Sequence, residues 1–137
     1  MIGKLHFLSG VATHVIRAIT FRADGAGLPQ TPTAAFKVLL VLAVAAASLR
    51  HGVIVGDLHP GAAAIGAMLS FTILAFVFGS QRFPCLSIYL CVSIGVDLAV
   101  MLGDGLVTAG MASVWELAGL VVGCLRFGRR QSQADLR

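Results

Sequence analysis

Residues 60–80 read PGAAAIGAMLSFTILAFVFGS, an unbroken stretch without one charged side chain. A hydrocarbon core about 30 Å thick is crossed by roughly 20 apolar residues in helical form. A shorter apolar run could be a buried core helix, but this one has the length of a membrane span. Backbone N–H and C=O groups find no water in lipid, so the segment must satisfy them internally as a helix.

The flanking sequence repeats the pattern. Downstream, Gln81 and Arg82 make a tight connection to 84–102, PCLSIYLCVSIGVDLAVML, which is interrupted only by Asp97. Gly103-Asp104-Gly105 supplies the next turn, since glycine reaches the positive φ of a short reversal. A further span fits 106–125, LVTAGMASVWELAGLVVGCL, with Glu116 near its middle. Upstream, 33–49, TAAFKVLLVLAVAAASL, is a short Ala-rich span, and the half-polar 50–59, RHGVIVGDLH, reads as a linker containing Arg50. The predicted fold is an all-α integral membrane protein: a four-helix transmembrane bundle with an N-terminal amphipathic interfacial helix.

That first helix covers 1–23. Ile2, Leu5, Leu8, Ala12, Val15, Ile16 and Ile19 recur at three- and four-residue steps, while Lys4, His6, His14, Arg17 and Arg22 mostly avoid that face. A basic helix of this kind suits a membrane surface with anionic headgroups, the alternatives being an organelle transit peptide and a partner-binding helix. The linker 24–32, DGAGLPQTP, breaks it. Thr31 or Thr33 is placed to cap the next helix, with Pro32 at its entrance. The first thirty residues lack the apolar core of a removable signal, so the spans are expected to direct insertion. Residues 126–137 form a basic tail that reads as disordered.

Composition agrees with a membrane protein. Hydrophobic residues make up 58% of the 137 and charged residues 12%, with a mean hydropathy of +0.93. A soluble domain is about half apolar and about a quarter charged. The placement of charge sets the topology. With four spans, Lys4, Arg17, Arg22, Lys37, Arg82, Arg126, Arg129, Arg130 and Arg137 fall on one side and Arg50 alone on the other. Lys and Arg accumulate on the cytoplasmic side. Both termini are therefore expected in the cytoplasm, with a bacterial inner membrane as the preferred compartment and a mitochondrial inner membrane as the alternative.

Two acids lie inside apolar runs. A charge at bilayer depth costs about 2.5–3.5 kcal/mol on insertion scales, so Asp97 and Glu116 each need a partner, a wet cavity or a proton. Tyr89, Ser93 and Asp97 recur every four residues and form one polar stripe. Ala112, Glu116, Gly119 and Gly123 share another face, and Ala62, Gly66 and Ser70 give the preceding span a row of small residues. Such rows let helices approach closely in lipid. At 1.5 Å per residue Asp97 lies roughly 8 Å and Glu116 roughly 15 Å below the outer boundary. Their direct contact then needs tilt or an intervening water. Lys37, near the opposite boundary, either snorkels to the headgroups or reaches inward to Glu116.

Most chemistries find no footing. Cys85, Cys91 and Cys124 form no CxxC pair and read as small apolar fillers. The spacing of His51, Asp57, His59 and Asp104 matches no metal motif. All four His lie outside the spans, which excludes haem between them, and no phosphate loop, GxSxG elbow or HExxH motif occurs. No cofactor, no enzymatic activity and no nucleic-acid partner are expected. The sequence points first to an accessory or assembly subunit that packs against a membrane-protein partner or its own copies in the lipid bilayer. The alternative is a small proton- or cation-coupled transporter or channel using Glu116 and Asp97, with Ser93, Tyr89 and Lys37 along the path.

Overall fold

A computed structural model describes residues 2–56, 60–103 and 109–136, and among them every regular element is helical. The helices are α1 (Ile2–Ile19), α2 (Ala34–Val55), α3 (Pro60–Phe78), α4 (Arg82–Leu102) and α5 (Ala109–Asp135). Among the described residues, three helical stretches are long and apolar enough to cross a membrane: Ala34–Val55, Gly61–Leu102 and Gly110–Asp135. The middle one contains both α3 and α4. A single 3-10 turn, Gly79–Gln81, joins them, and Gly79 takes φ 53° there. The chain folds back at this turn, so Phe71 of α3 meets Tyr89 of α4. Pro84 sits in the first turn of α4, where its missing N–H costs no helical bond.

The core is α4 itself. It contacts α1, α2, α3 and α5, and from Pro84 to Asp97 every residue is buried except the half-buried Tyr89. Small residues on its neighbours allow this. A Cβ on Gly123 would stand 2.5 Å from Ile88 Cγ2, and one on Gly119 would stand 3.0 Å from both Val92 methyls. Ala112 is also buried on that face. In lipid, close van der Waals packing of this sort replaces the hydrophobic drive.

Several expectations change. The first span does not stop at Leu49: α2 continues to Val55 and ends at Gly56, whose φ of 73° and N–H bond to Gly52 O form a left-handed cap. Gly is the residue that adopts this conformation at little cost, and the apolar Val53, Ile54 and Val55 carry the helix up to it. Arg50 is therefore a helical residue, not part of a linker. At the other end Thr33 is the cap, accepting from Phe36 N–H at 3.4 Å. The segment after 125 is not disordered either, because α5 runs on to Asp135. The small residues Ala62, Gly66 and Ser70 are exposed, and a Cβ on Gly66 would meet nothing within 4 Å. That row does not form a packed interface. Asp57, His59 and Asp104 lie outside the described residues.

The N-terminal helix keeps its amphipathic character and divides its apolar face: Val15 and Ile19 meet α4, while Ala12 and Ile16 stay exposed. Val15 and Ala18 are buried, and both Ile19 and Val15 press on the bare Cα of Gly95 in α4. Phe21, at φ 55°, turns the chain out of the helix, with Arg22 N–H bonded to Arg17 O at 2.7 Å. A left-handed non-glycine residue costs roughly 1–2 kcal/mol. Here the Phe21 ring gains a partner, with its centroid 4.7 Å from that of Trp115. The Trp115 indole N–H donates to Ile19 O at 3.0 Å, which ties α1 to α5. The linker is tied to α4 by the buried Ser87 hydroxyl, which donates to Pro29 O at 2.8 Å.

Candidate functional site

The polar residues of the interior converge on Arg50. Continuation of α2 past Leu49 puts Arg50 on the same side as Ala43, Ala46 and Ala47, at three- and four-residue steps. Small side chains on this face bring α2 close to α4. Arg50 Nη1 then donates to Asp97 Oδ1 at 2.8 Å, a charge-assisted bond of the short, strong kind. The same nitrogen lies 3.8 Å from Glu116 Oε1, an electrostatic contact beyond hydrogen-bonding distance. One guanidinium thus serves two carboxylates from two other helices.

Burial separates the three side chains. Asp97 is 2% exposed, Glu116 17% and Arg50 24%. Among the described residues, Asp97 Oδ2 is buried and has no hydrogen-bond partner. Buried polar atoms are nearly always satisfied, so an orphan carboxylate oxygen marks a place of functional interest. It borders a cavity of about 400 Å³ between α2, α3, α4 and α5. His51 and Ser70 add polar groups to the wall, and Ile54, Ala63, Ala67 and Phe71 make the remainder apolar. A few polar groups on an apolar wall are usual for small-molecule sites of about 300–1,000 Å³.

Four of the residues singled out by sequence line this cavity together: Glu116, Asp97, Ser93 and Tyr89. Gly66 and Ser70 line it as well, as wall rather than as packing surface. Lys37 does not join them. It is exposed near the start of α2, four turns of helix before Arg50, so the cation beside Glu116 is Arg50 and not Lys37. Arg50 is hard to place from sequence because it stands at the end of an apolar run, beside the polar His51 and Gly52, where a cation reads as a boundary. The signal that finds it is the helical row through Ala43, Ala46 and Ala47, together with the apolar residues that resume at Val53.

A second group of ionisable residues anchors the end of α1. Asp24 accepts from Ala26 N–H at 3.1 Å and pairs with Arg17 at 3.5 Å. Burial opposes its ionisation, but the Ala26 bond and Arg17 outweigh that and hold its carboxyl below the ordinary range. Burial, and then Arg17, holds the His14 imidazole below its usual 6.5, against a smaller upward pull from Asp24. Its ring packs on Gly27, where a Cβ would lie 3.2 Å from His14 Cε1. This cluster holds the linker against α1 and is separate from the Arg50 cavity.

No protein family, no characterised protein and no solved structure matches the chain.

Proposed function

We propose that this chain is a multi-pass inner-membrane protein of four spans with both termini in the cytoplasm, and that the Arg50 cavity makes it a small proton- or cation-coupled transporter or channel. The observation that carries the reading is the unpartnered Asp97 Oδ2 beside the shared guanidinium. Two carboxylates against one guanidinium leave a single negative charge when all three are ionised. In a low-dielectric interior that charge is costly unless a proton or a small cation neutralises it. The cavity gives such a species somewhere to stand.

The test is proton flux into liposomes holding the purified protein and a pH-sensitive dye, driven by a potassium diffusion potential. The intact chain is expected to acidify the lumen faster than protein-free liposomes, and Glu116→Gln and Asp97→Asn are expected to remove most of the difference. Flux equal to that of protein-free liposomes, or flux unchanged in both variants, refutes the reading.

One observation favours the accessory-subunit reading as the second choice. Away from the cavity wall, α3 exposes Ile65, Leu69, Ile73 and Phe76, a face available to a partner's helix. Copurification from native membranes followed by mass analysis separates the two. A stoichiometric larger membrane partner supports the accessory role.

A further inference from the structure

The groove that holds the Arg50 cavity continues toward the other end of the helices. Below Phe71 lies a second cavity of about 310 Å³, formed by α2, α3 and α4 and lined by Phe36, Leu40, Ala75, Arg82 and Phe83 among others. Among the described residues, Phe71 is the one side chain that borders both cavities. It is only 5% exposed, and its ring meets Tyr89 edge-on at 5.8 Å between centroids. Phe71 therefore stands where the two open grooves adjoin.

Resting on the transport reading above, we propose that the two cavities are the halves of one path for a small monovalent organic cation, and that Phe71 is its gate. The charge of the upper half sets the sign of the ligand: Asp97 and Glu116 outnumber Arg50 by one. Its walls set the class. A bare metal ion would require several hard oxygen ligands, and among the described residues no group of three or more His, Cys, Asp or Glu could hold one. Apolar walls beside paired carboxylates suit an ammonium with short alkyl groups, and Phe71 and Tyr89 offer aromatic surface to it.

The lower half lacks an acid and has Arg82 at its far end, with the guanidinium 5.1 Å from the Phe83 ring centroid. A cation is held above Phe71 and repelled below it, so the lower half is a release compartment. Apolar constrictions of this kind close a path by excluding water. As gate, the Phe71 ring closes the way between the two grooves while it lies edge-on to Tyr89.

Tetramethylammonium is the probe, because its fixed charge leaves no neutral form to diffuse through lipid. Uptake of the labelled ion is measured in liposomes holding the full chain or its Phe71→Ala, Phe71→Leu or Phe71→Trp variants, each first checked for a single gel-filtration peak. Phe71→Ala is expected to raise the uptake rate about tenfold and Phe71→Leu less, while Phe71→Trp lowers it. Phe71→Leu nearly preserves volume and keeps the test open if the alanine variant does not fold. Equal rates in all variants overturn the gate. Proton flux in the intact chain with no tetramethylammonium uptake in any variant overturns the organic-cation path while leaving the proton-coupled reading in place. Absence of proton flux as well removes that reading.

Discussion

At the scale of single residues, Arg50 determines the electrostatics of the interior. Removing one member of a buried ion pair leaves an uncompensated charge and costs about 3–5 kcal/mol. Arg50→Gln strands two carboxylates and is expected to lower thermal stability in detergent by the most. Asp97→Asn leaves Arg50 the Glu116 contact and is expected to cost less, and Glu116→Gln, at the 3.8 Å contact, least. Adding Asp97→Asn to Arg50→Gln should recover part of the loss, because one of the two stranded charges, the more buried one, is then gone. Stability equal to that of Arg50→Gln alone would refute this account. The acids of this site were legible, since a carboxylate inside an apolar run stands out. Their partner was not, because a cation near the end of a run looks like a boundary marker until the cap at Gly56 is seen. His14 gives a second prediction at this scale. With its pKa lowered in the docked state, the undocked form binds more protons below 6.5. Protonation of His14 therefore does not oppose docking of α1 above that pH, and docking weakens as pH falls through and below it. Asp24, shifted down as well, stays ionised over the same range. The single tryptophan, Trp115, reports this through its contacts with Phe21 and Ile19. Its emission should shift between pH 7.5 and 5 in the native chain and stay flat in His14→Gln.

Helices pack here through the absence of side chains, and substitutions at glycine should follow the space each one faces. At Gly123 a Cβ would stand 2.5 Å from Ile88, at Gly119 3.0 Å from Val92, and at Gly66 it meets nothing. Overpacking costs typically about 1–3 kcal/mol. Thermal unfolding is expected to rank Gly123→Ala as most destabilised and Gly119→Ala as less so, with Gly66→Ala unchanged or slightly more stable. A large loss at Gly66 would show that α3 meets another molecule in the membrane. Gly95→Ala should act on a different contact, pushing Ile19 and Val15 off α4 and altering Trp115 emission without disturbing α4 against α5. Spacing alone grouped Gly119 with Gly123 and Ala62 with Gly66 and Ser70, and it could not separate them. A row of small residues states that a helix can be approached closely, and only the fold says whether anything approaches. The amphipathic face of α1 was likewise visible, but a lipid surface and the flank of α4 accept the same apolar stripe.

For the whole molecule, the distribution of cations is the remaining guide, and the Arg50 contact sharpens it. On the proposed four-span topology Arg50 is the one cation opposite the termini, and its bond to Asp97 leaves it little free charge to oppose insertion. At 1.5 Å per residue, Gly110–Asp135 extends about 39 Å, longer than a hydrocarbon core of about 30 Å. The helix must then tilt or project, and its sequence favours projection at the end carrying Arg126, Arg129 and Arg130. Those arginines sit where anionic headgroups would meet them, and Arg82 stands at the same end of α4. This arrangement predicts that orientation depends on the arginines flanking α4 and α5 and not on Arg50. Protease protection and a fluorescent C-terminal fusion, which matures only in the cytoplasm, provide the readout. Arg50→Gln is expected to keep the C-terminus inside. Replacing Arg82, Arg126, Arg129 and Arg130 together by Gln should place a measurable fraction outside, and adding two Lys after Gly56 to that variant should raise the fraction further. If the fourfold variant stays fully inside, the positive-side bias does not set the orientation. The fixed element would then be the α3–α4 turn at Gly79–Gln81, where the chain reverses within three residues.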